Sequence, residues 1–360
     1  MIDNIDFATL REIGLNQDIA SRIAQLSADI RHEPNARIAR ITETQRDWFT
    51  LHDGRTERPA RALNRVIDQL QAQASQLTVG DWVVVHTDAN GEQWIAHVIV
   101  PATQIARRAN DGRRQPLASN VDTALLVMGL DDDFNPRRME RYIAMVRACD
   151  VVPVVVLTKM DIAPDARVRT SDMCRRLPAT VPVLAVDAHS ATARTEIGPW
   201  LHTGQTIVML GSSGAGKSTL TNTLTQGHAQ QDTGDVRRGD GRGKHTTTAR
   251  SLHRCAQGAC IIDTPGLRTW RPDADAHTLA ATFEDVQSLA MQCQFRDCRH
   301  ESEPGCAVRG GVDADRLENY RKLMRDAARV DMGTLERLAV KQKWKVIGKA
   351  GARRAREKRV

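Results

Sequence analysis

Gly211-Ser-Ser-Gly-Ala-Gly-Lys-Ser-Thr219 decides the fold, because the apolar run Gln205 to Leu210 enters it and the helix-forming stretch Ser218 to Leu224 leaves it. The pattern is G-x-x-x-x-G-K-[ST] in strand, loop, helix order. Its glycines let the backbone turn tightly and aim successive N–H groups inward, which makes an anion cradle at a helix N-terminus. Gly211, Ser212, Ser213, Gly214, Ala215 and Gly216 form the cradle, and Lys217 reaches the β- and γ-phosphates. The Ser218 hydroxyl holds Mg²⁺, and Thr219 carries the chain into the helix. An ordinary Gly/Ser-rich βα turn has no need of Lys-Ser at this spacing. The expectation is a nucleotide-binding P-loop in an α/β domain.

The 360 residues suit two or three domains, and 41% hydrophobic with 26% charged residues suits a core-forming globular chain. No run approaches the roughly 18 apolar residues of a membrane span, and Met1-Ile-Asp-Asn-Ile-Asp6 lacks a signal-peptide pattern. A cytoplasmic protein with no membrane partner is expected. Seven cysteines in a reducing compartment favour a metal site over disulfides. The net charge is +7, yet residues 341–360 carry nine Lys/Arg against the single Glu357, which points to a polyanionic partner.

Residues 1–35 read as a small helical extension, with Ile19, Ile23 and Leu26 at helical spacing before His32-Glu-Pro-Asn35. Short β-like runs follow at Ala36–Thr42, Asp47–Leu51, Val79–His86 and Gln93–Val100, separated by Asp-Gly, Val-Gly-Asp and Asn-Gly turns. They predict a compact all-β barrel or sandwich, of the kind that binds oligonucleotides or serves as structure. Ile105 to Pro116, with Arg107, Arg108, Arg113 and Arg114, reads as a basic connector. Beyond it the α/β pattern begins with Ala124–Met128, a helical stretch from Pro136 to Cys149, and the doubly buried run Val151–Leu157.

That run delivers Thr158-Lys159-Met160-Asp161 at its C-terminal end, where open parallel sheets place ligands. The Asp161 carboxylate suits guanine, since it accepts from both the ring N–H and the exocyclic amino group, a pair that adenine lacks. A second strand end, Val181 to Ser190, brings Asp187 and the Ala188 backbone towards a base. After the P-loop, Gln226 to Lys244 reads as a loop ending in His245-Thr-Thr-Thr248, where Thr247 or its neighbour Thr246 closes over Mg²⁺ and the γ-phosphate. Arg250–Cys255 and Ala259–Asp263 predict a hairpin ending in Asp263-Thr-Pro-Gly266. Asp263 serves the magnesium shell there and the Gly266 N–H senses the γ-phosphate. The base-reading Asp161 precedes Lys217, the reverse of most GTPases. A circular permutation reconciles this, because a sheet needs its strands adjacent in space and in no particular chain order.

Cys293-x₄-Cys298-x-His300-x₅-Cys306 places three thiols and an imidazole within 14 residues, a Cys₃His set that tetrahedral Zn²⁺ accepts. Cys255-x₄-Cys260 crosses the expected hairpin with no partner ligands nearby. Leu317, Tyr320, Met324 and Ala327 share one helical face.

The P-loop, the preceding Thr-Lys-Met-Asp, His-Thr-Thr-Thr, Asp-Thr-Pro-Gly and the Cys/His cluster together resemble the RsgA family, circularly permuted GTPases of small ribosomal subunit biogenesis. The resemblance implies an all-β OB-fold barrel with basic linker at 36–117, a permuted α/β P-loop GTPase domain at 118–282, and an α-helical zinc-binding domain with basic tail at 283–360. It further implies GTP hydrolysis to GDP stimulated by the 30S subunit, contact with 16S rRNA, action late in maturation, and a monomer. Thr158 stands where the family usually has Asn, and Asp187 where it usually has Ser. Leu267 follows the Asp-x-x-Gly motif where many GTPases carry a water-orienting Gln, so the resemblance makes His245 the catalytic substitute. Two other readings are a P-loop kinase of metabolism and a nucleotide-regulated RNA-binding module.

Overall fold

In the computed structural model the described residues are 6–31, 33, 35–45, 48–108, 114–226, 250–263 and 280–331. They belong to two compact units, Met1–Pro272 and Asp273–Val360.

The first unit opens with α1 (Phe7–Arg11) and α2 (Gln17–Ala24), each started by a side-chain cap: Asp6 accepts from Thr9 N and Asn16 from Ile19 N. Strands β1 (Arg37–Thr44), β2 (Phe49–His52), β3 (Glu57–Ala62), β4 (Trp82–Thr87) and β5 (Gln93–Val98) follow, with α4 (Asn64–Ala72) between β3 and β4 and a short α3 (Ala28–Arg31) before β1. Pairing runs β1-β2-β3-β5-β4 and back to β1, so the sheet closes into a barrel. Side-chain alternation explains the closure. Ala39, Ile41, Val83 and Val85 fill the interior with Leu51, Ala60, Ile95 and Val66 of α4, while the intervening Ile38, Trp82 and Val84 pack under Leu10, Ile13, Ile19 and Ile23.

Two elements of the barrel, β3 and α4, lie outside the sequence-predicted strands. The described parts of the basic connector are strand: β6 (Gln104–Arg108) and β7 (Arg114–Ser119) pair antiparallel, with Ile105 and Leu117 in the core below.

Strands β8 (Thr123–Gly129), β9 (Val152–Thr158), β10 (Val183–Ala185), β11 (Thr206–Gly211) and β13 (Cys260–Asp263) make a parallel sheet in the order β10-β9-β8-β11-β13. Antiparallel β12 (Ser251–Arg254) extends it, forming the expected hairpin with β13. Helices α5 (Pro136–Arg147) and α6 (Ala166–Arg176) cover one face, where Met139, Tyr142, Ile143, Val146 and Met173 meet Leu126, Met128 and Val155. The other face takes α7 (Thr192–Ile197) and α8 (Lys217–Leu224), whose Ile197, Leu220 and Leu224 pack on Val127, Val154 and Met209. The alternate faces of β8, β9 and β11 are thus both apolar, which is why these strands read as unbroken hydrophobic runs.

Glu43 of β1 pairs with Ser251 of β12, so barrel and parallel sheet form one continuous sheet. The fully buried Arg40 fastens the junction. Its guanidinium donates to Ile13 O (2.6 Å), Thr206 Oγ1 (2.9 Å), Asn120 O (3.1 Å) and Gly80 O (3.3 Å), linking extension, barrel and the first residue of β11.

The second unit contains α9 (Glu284–Ala290), α10 (Ala307–Gly311) and α11 (Ala314–Asp331) around Phe283, Val286, Val308, Leu317 and Leu323. Phe283 meets Tyr320 edge to face at 5.3 Å, and Arg316 forms a fork on the Asp285 carboxylate with both contacts at 2.7 Å. Among the described residues no helix is long and apolar enough to cross a membrane.

Candidate nucleotide and metal sites

The P-loop leaves β11 at Gly211 in a space too narrow for any side chain, since a Cβ there would lie 2.2 Å from Val127 O of the neighbouring β8. Gly214 and Gly216 adopt positive φ of 82° and 88°, the left-handed turns that let the loop fold back to the start of α8. Ser213 and Gly214 are exposed at its tip, Ala215 is buried beneath, and Ser218 and Thr219 begin the helix half-buried. Lys217 folds over the loop, its Nζ donating to Ser212 O at 2.7 Å and Gly211 O at 3.0 Å. Burial pushes the Lys217 pKa down, and the nearby Asp263 and Asp133 carboxylates oppose that fall.

Strand order brings the remaining described sequence-predicted residues to the same C-terminal edge. Asp263 ends β13, buried, in register with Met209 of β11. Thr158 ends β9, two strands from the P-loop, and its hydroxyl donates to Ala215 O at 2.7 Å. Lys159 follows with φ 64° and pairs with Asp131 at 2.6 Å; Met160 and Asp161 stand exposed beyond it. Asp187 turns its carboxylate to the N–H of His189 (2.9 Å), and the Ala188 carbonyl accepts from Thr223 of α8 at 2.6 Å, which ties this loop to the P-loop helix. His245, Thr246, Thr247 and Gly266 lie outside the described residues.

The residues missed by sequence reasoning are Asp131 and Asp133, in the loop after β8. They belong to no recognisable motif. The signal that finds them is strand order, because β8 lies between β9 and β11, and its C-terminal loop falls between Lys159 and the P-loop.

In the second unit, ligand atoms of Cys293, Cys298, His300 and Cys306 all lie within 4.8 Å of one another. Cys293 Sγ is 4.0 Å from Cys306 Sγ and 3.7 Å from His300 Nδ1, and Cys306 Sγ is 3.5 Å from that nitrogen. A tetrahedron built on Zn–S bonds of about 2.3 Å has edges of about 3.8 Å, close to the separations among Cys293, His300 and Cys306, and Cys298 lies within 4.8 Å of them. His300 and Gly305 take positive φ of 60° and 66°, the turns that bring four ligands from one short loop to a point. Cys255 and Cys260 are buried across the β12–β13 hairpin, where burial raises both thiol pKa values and leaves them inert.

A family model described as RsgA GTPase matches residues 99–272. The small ribosomal subunit biogenesis GTPase RsgA of Opitutus terrae is 41% identical over 343 residues, spanning 89% of this chain and 91% of that protein. This chain belongs to the RsgA GTPase family. Two solved structures share its fold. YjeQ from Thermotoga maritima superposes with a TM-score of 0.59 at 22% identity, covering 81% of this chain and 99% of that one. YloQ, described as a circularly permuted GTPase, gives 0.57 at 21% identity, covering 84% and 98%. The RsgA architecture therefore accounts for the order of motifs here: an N-terminal β-barrel, a permuted P-loop GTPase domain and a C-terminal Cys/His cluster of zinc-binding form.

Proposed function

We propose that this GTPase binds GTP across the C-terminal edge of the parallel sheet and spends it in late maturation of the small ribosomal subunit. The carrying observation is convergence. The P-loop after β11, the Thr158 to Asp161 segment after β9 and Asp263 at the end of β13 come from distant positions in the chain and meet at one sheet edge. In this reading Asp161 reads guanine, the Ala188 backbone borders the base, and the loop from Gly211 to Thr219 cradles the phosphates. Lys217 exchanges its carbonyl partners for phosphate oxygens. Mg²⁺ arriving with GTP neutralises phosphate charge; Ser218, a Thr of the segment 246–247 and the Asp263 carboxylate are the oxygen donors that suit it. The Cys₃His set holds a structural Zn²⁺ with no open position.

The subunit is the partner suggested by the name of the Opitutus terrae relative. Its rRNA phosphates suit the basic residues of 341–360. Leu267 provides no group to orient water, so intrinsic turnover is slow, and binding to the 30S subunit brings His245 to the attacking water. The protein works as a cytoplasmic monomer touching 16S rRNA, with barrel, GTPase and zinc-binding parts in that order. GTP turnover measured with purified 30S, with 50S and with neither tests this. Stimulation by 30S alone is expected, lost in His245→Ala while GTP still binds; equal rates in all three mixtures reject the partner, and failure to turn over GTP under any of them rejects the activity.

A further inference from the structure

We propose that Asp133 is a positioning residue for nucleotide binding, holding the P-loop in place through Ser212. The inference rests on the reading of the P-loop as the guanine nucleotide site.

Asp133 Oδ2 accepts from Ser212 Oγ at 2.5 Å, and Asp133 Oδ1 accepts from Arg138 Nη2 at 2.7 Å. The carboxylate is thus divided between two donors, one belonging to the P-loop and one to the helix α5 that follows its loop. Its loop is fixed independently of the P-loop. Arg169 Nη1 donates to Leu130 O (2.8 Å) and Asp131 O (2.7 Å), Asp133 N donates to Asp131 Oδ1 (3.2 Å), and Asn135 caps α5 by accepting from Arg138 N (3.0 Å). Asp133 is therefore a fixed point against which Ser212 is held.

Ser212 is gripped at two atoms, its hydroxyl by Asp133 and its carbonyl by Lys217 at 2.7 Å. The second grip is temporary, because a phosphate-bound P-loop requires its lysine on the phosphates. Once Lys217 leaves, the hydroxyl of Ser212 retains the contact that keeps the loop in its cradle form. Preorganising a binding loop raises affinity by removing an ordering cost from the binding step. The Arg138 charge serves the same end, since it neutralises a carboxylate that would otherwise stand uncompensated beside an anion site.

Binding of GDP carrying an N-methylanthraniloyl fluorophore tests this on the full-length protein. Asp133→Ala and Ser212→Ala should each weaken binding about tenfold, and the double variant should be no weaker than either, because both remove one shared contact. Asp133→Asn should restore near-normal affinity, since the amide oxygen still accepts from Ser212. All four should keep the thermal midpoint of the nucleotide-free wild type within a few degrees. Additive losses in the double variant, unchanged or tighter binding by Asp133→Ala, or an Asp133→Asn as weak as Asp133→Ala would each overturn the proposal. Lys217→Ala provides the separate control: if it binds as the wild type does, the P-loop reading falls and takes this proposal with it.

Discussion

The Thr158 hydroxyl donates to the Ala215 carbonyl across 2.7 Å, so the end of β9 and the floor of the P-loop are one hydrogen-bonded unit. Both groups are buried, and Gly216 passes so close that a Cβ there would stand 3.3 Å from the same hydroxyl. Thr at this position keeps a donor aimed at the loop. Thr158→Ala orphans a buried carbonyl and should cost about 1 kcal/mol, near fivefold in guanine nucleotide affinity. Thr158→Asn should bind at least as tightly as the wild type. Titration with a fluorescent GDP measures both, and an Ala variant of normal affinity would detach β9 from the site.

Asp161 stands exposed two residues beyond Lys159, free to meet a base that approaches from solvent. Asp161→Asn should weaken GTP binding and improve binding of xanthosine triphosphate, because an amide donates to the added carbonyl where a carboxylate repels it. Competition between the two nucleotides reads the exchange directly. Unchanged GTP affinity would remove Asp161 from base recognition.

The Cys₃His loop joins α9 to α10, between residues that build the core of the second unit. Metal affinity at such a site becomes folding energy. Cys298→Ser should release metal and lower the unfolding temperature of the C-terminal unit, while GDP affinity stays near normal because the P-loop belongs to the other unit. Elemental analysis of protein purified without added metal should find one zinc per chain in the wild type; well under one would contradict the assignment.

How much of this was legible in the sequence followed how local each cause was. The P-loop, β8, β9 and β11 could be read because apolar runs of the right length and glycines of the right spacing carry their own reasons. Strand β3, Glu-Arg-Pro-Ala-Arg-Ala, could not: only Ala60 is fully buried, and the strand exists because β2 and β5 flank it. The β6–β7 pair hid for a related reason, since Ile105 and Leu117 are few among arginines and their burial comes from residues distant in sequence. Asp133 shows the same limit at the site. Its partner Ser212 is 79 positions away, and only the neighbouring of β8 and β11 in the sheet brings them together.

Asp81 is fully buried beside Arg40 at the junction of barrel and parallel sheet, with Oδ2 accepting from Thr78 N at 2.8 Å. Burial dominates and raises its pKa from 3.8 to about 6, against the opposing pull of hydrogen bonds from Thr78 and Ser119 and the charge of Arg40. The sign of the consequence follows from proton counts. Between about pH 4 and 6 the folded protein holds a proton that the unfolded chain has lost, so this residue's contribution to stability falls as pH rises through that window and is constant above it. At roughly 1.4 kcal/mol per pKa unit, the ionised carboxylate costs about 2 to 3 kcal/mol at neutral pH. Asp81→Asn keeps an acceptor for Thr78 without the charge, so it should match the wild type near pH 4 and exceed it in stability near pH 7.5. Urea unfolding of both proteins across that range measures the difference. An Asn variant less stable at pH 7.5 would show that attraction to Arg40 outweighs the cost of burial.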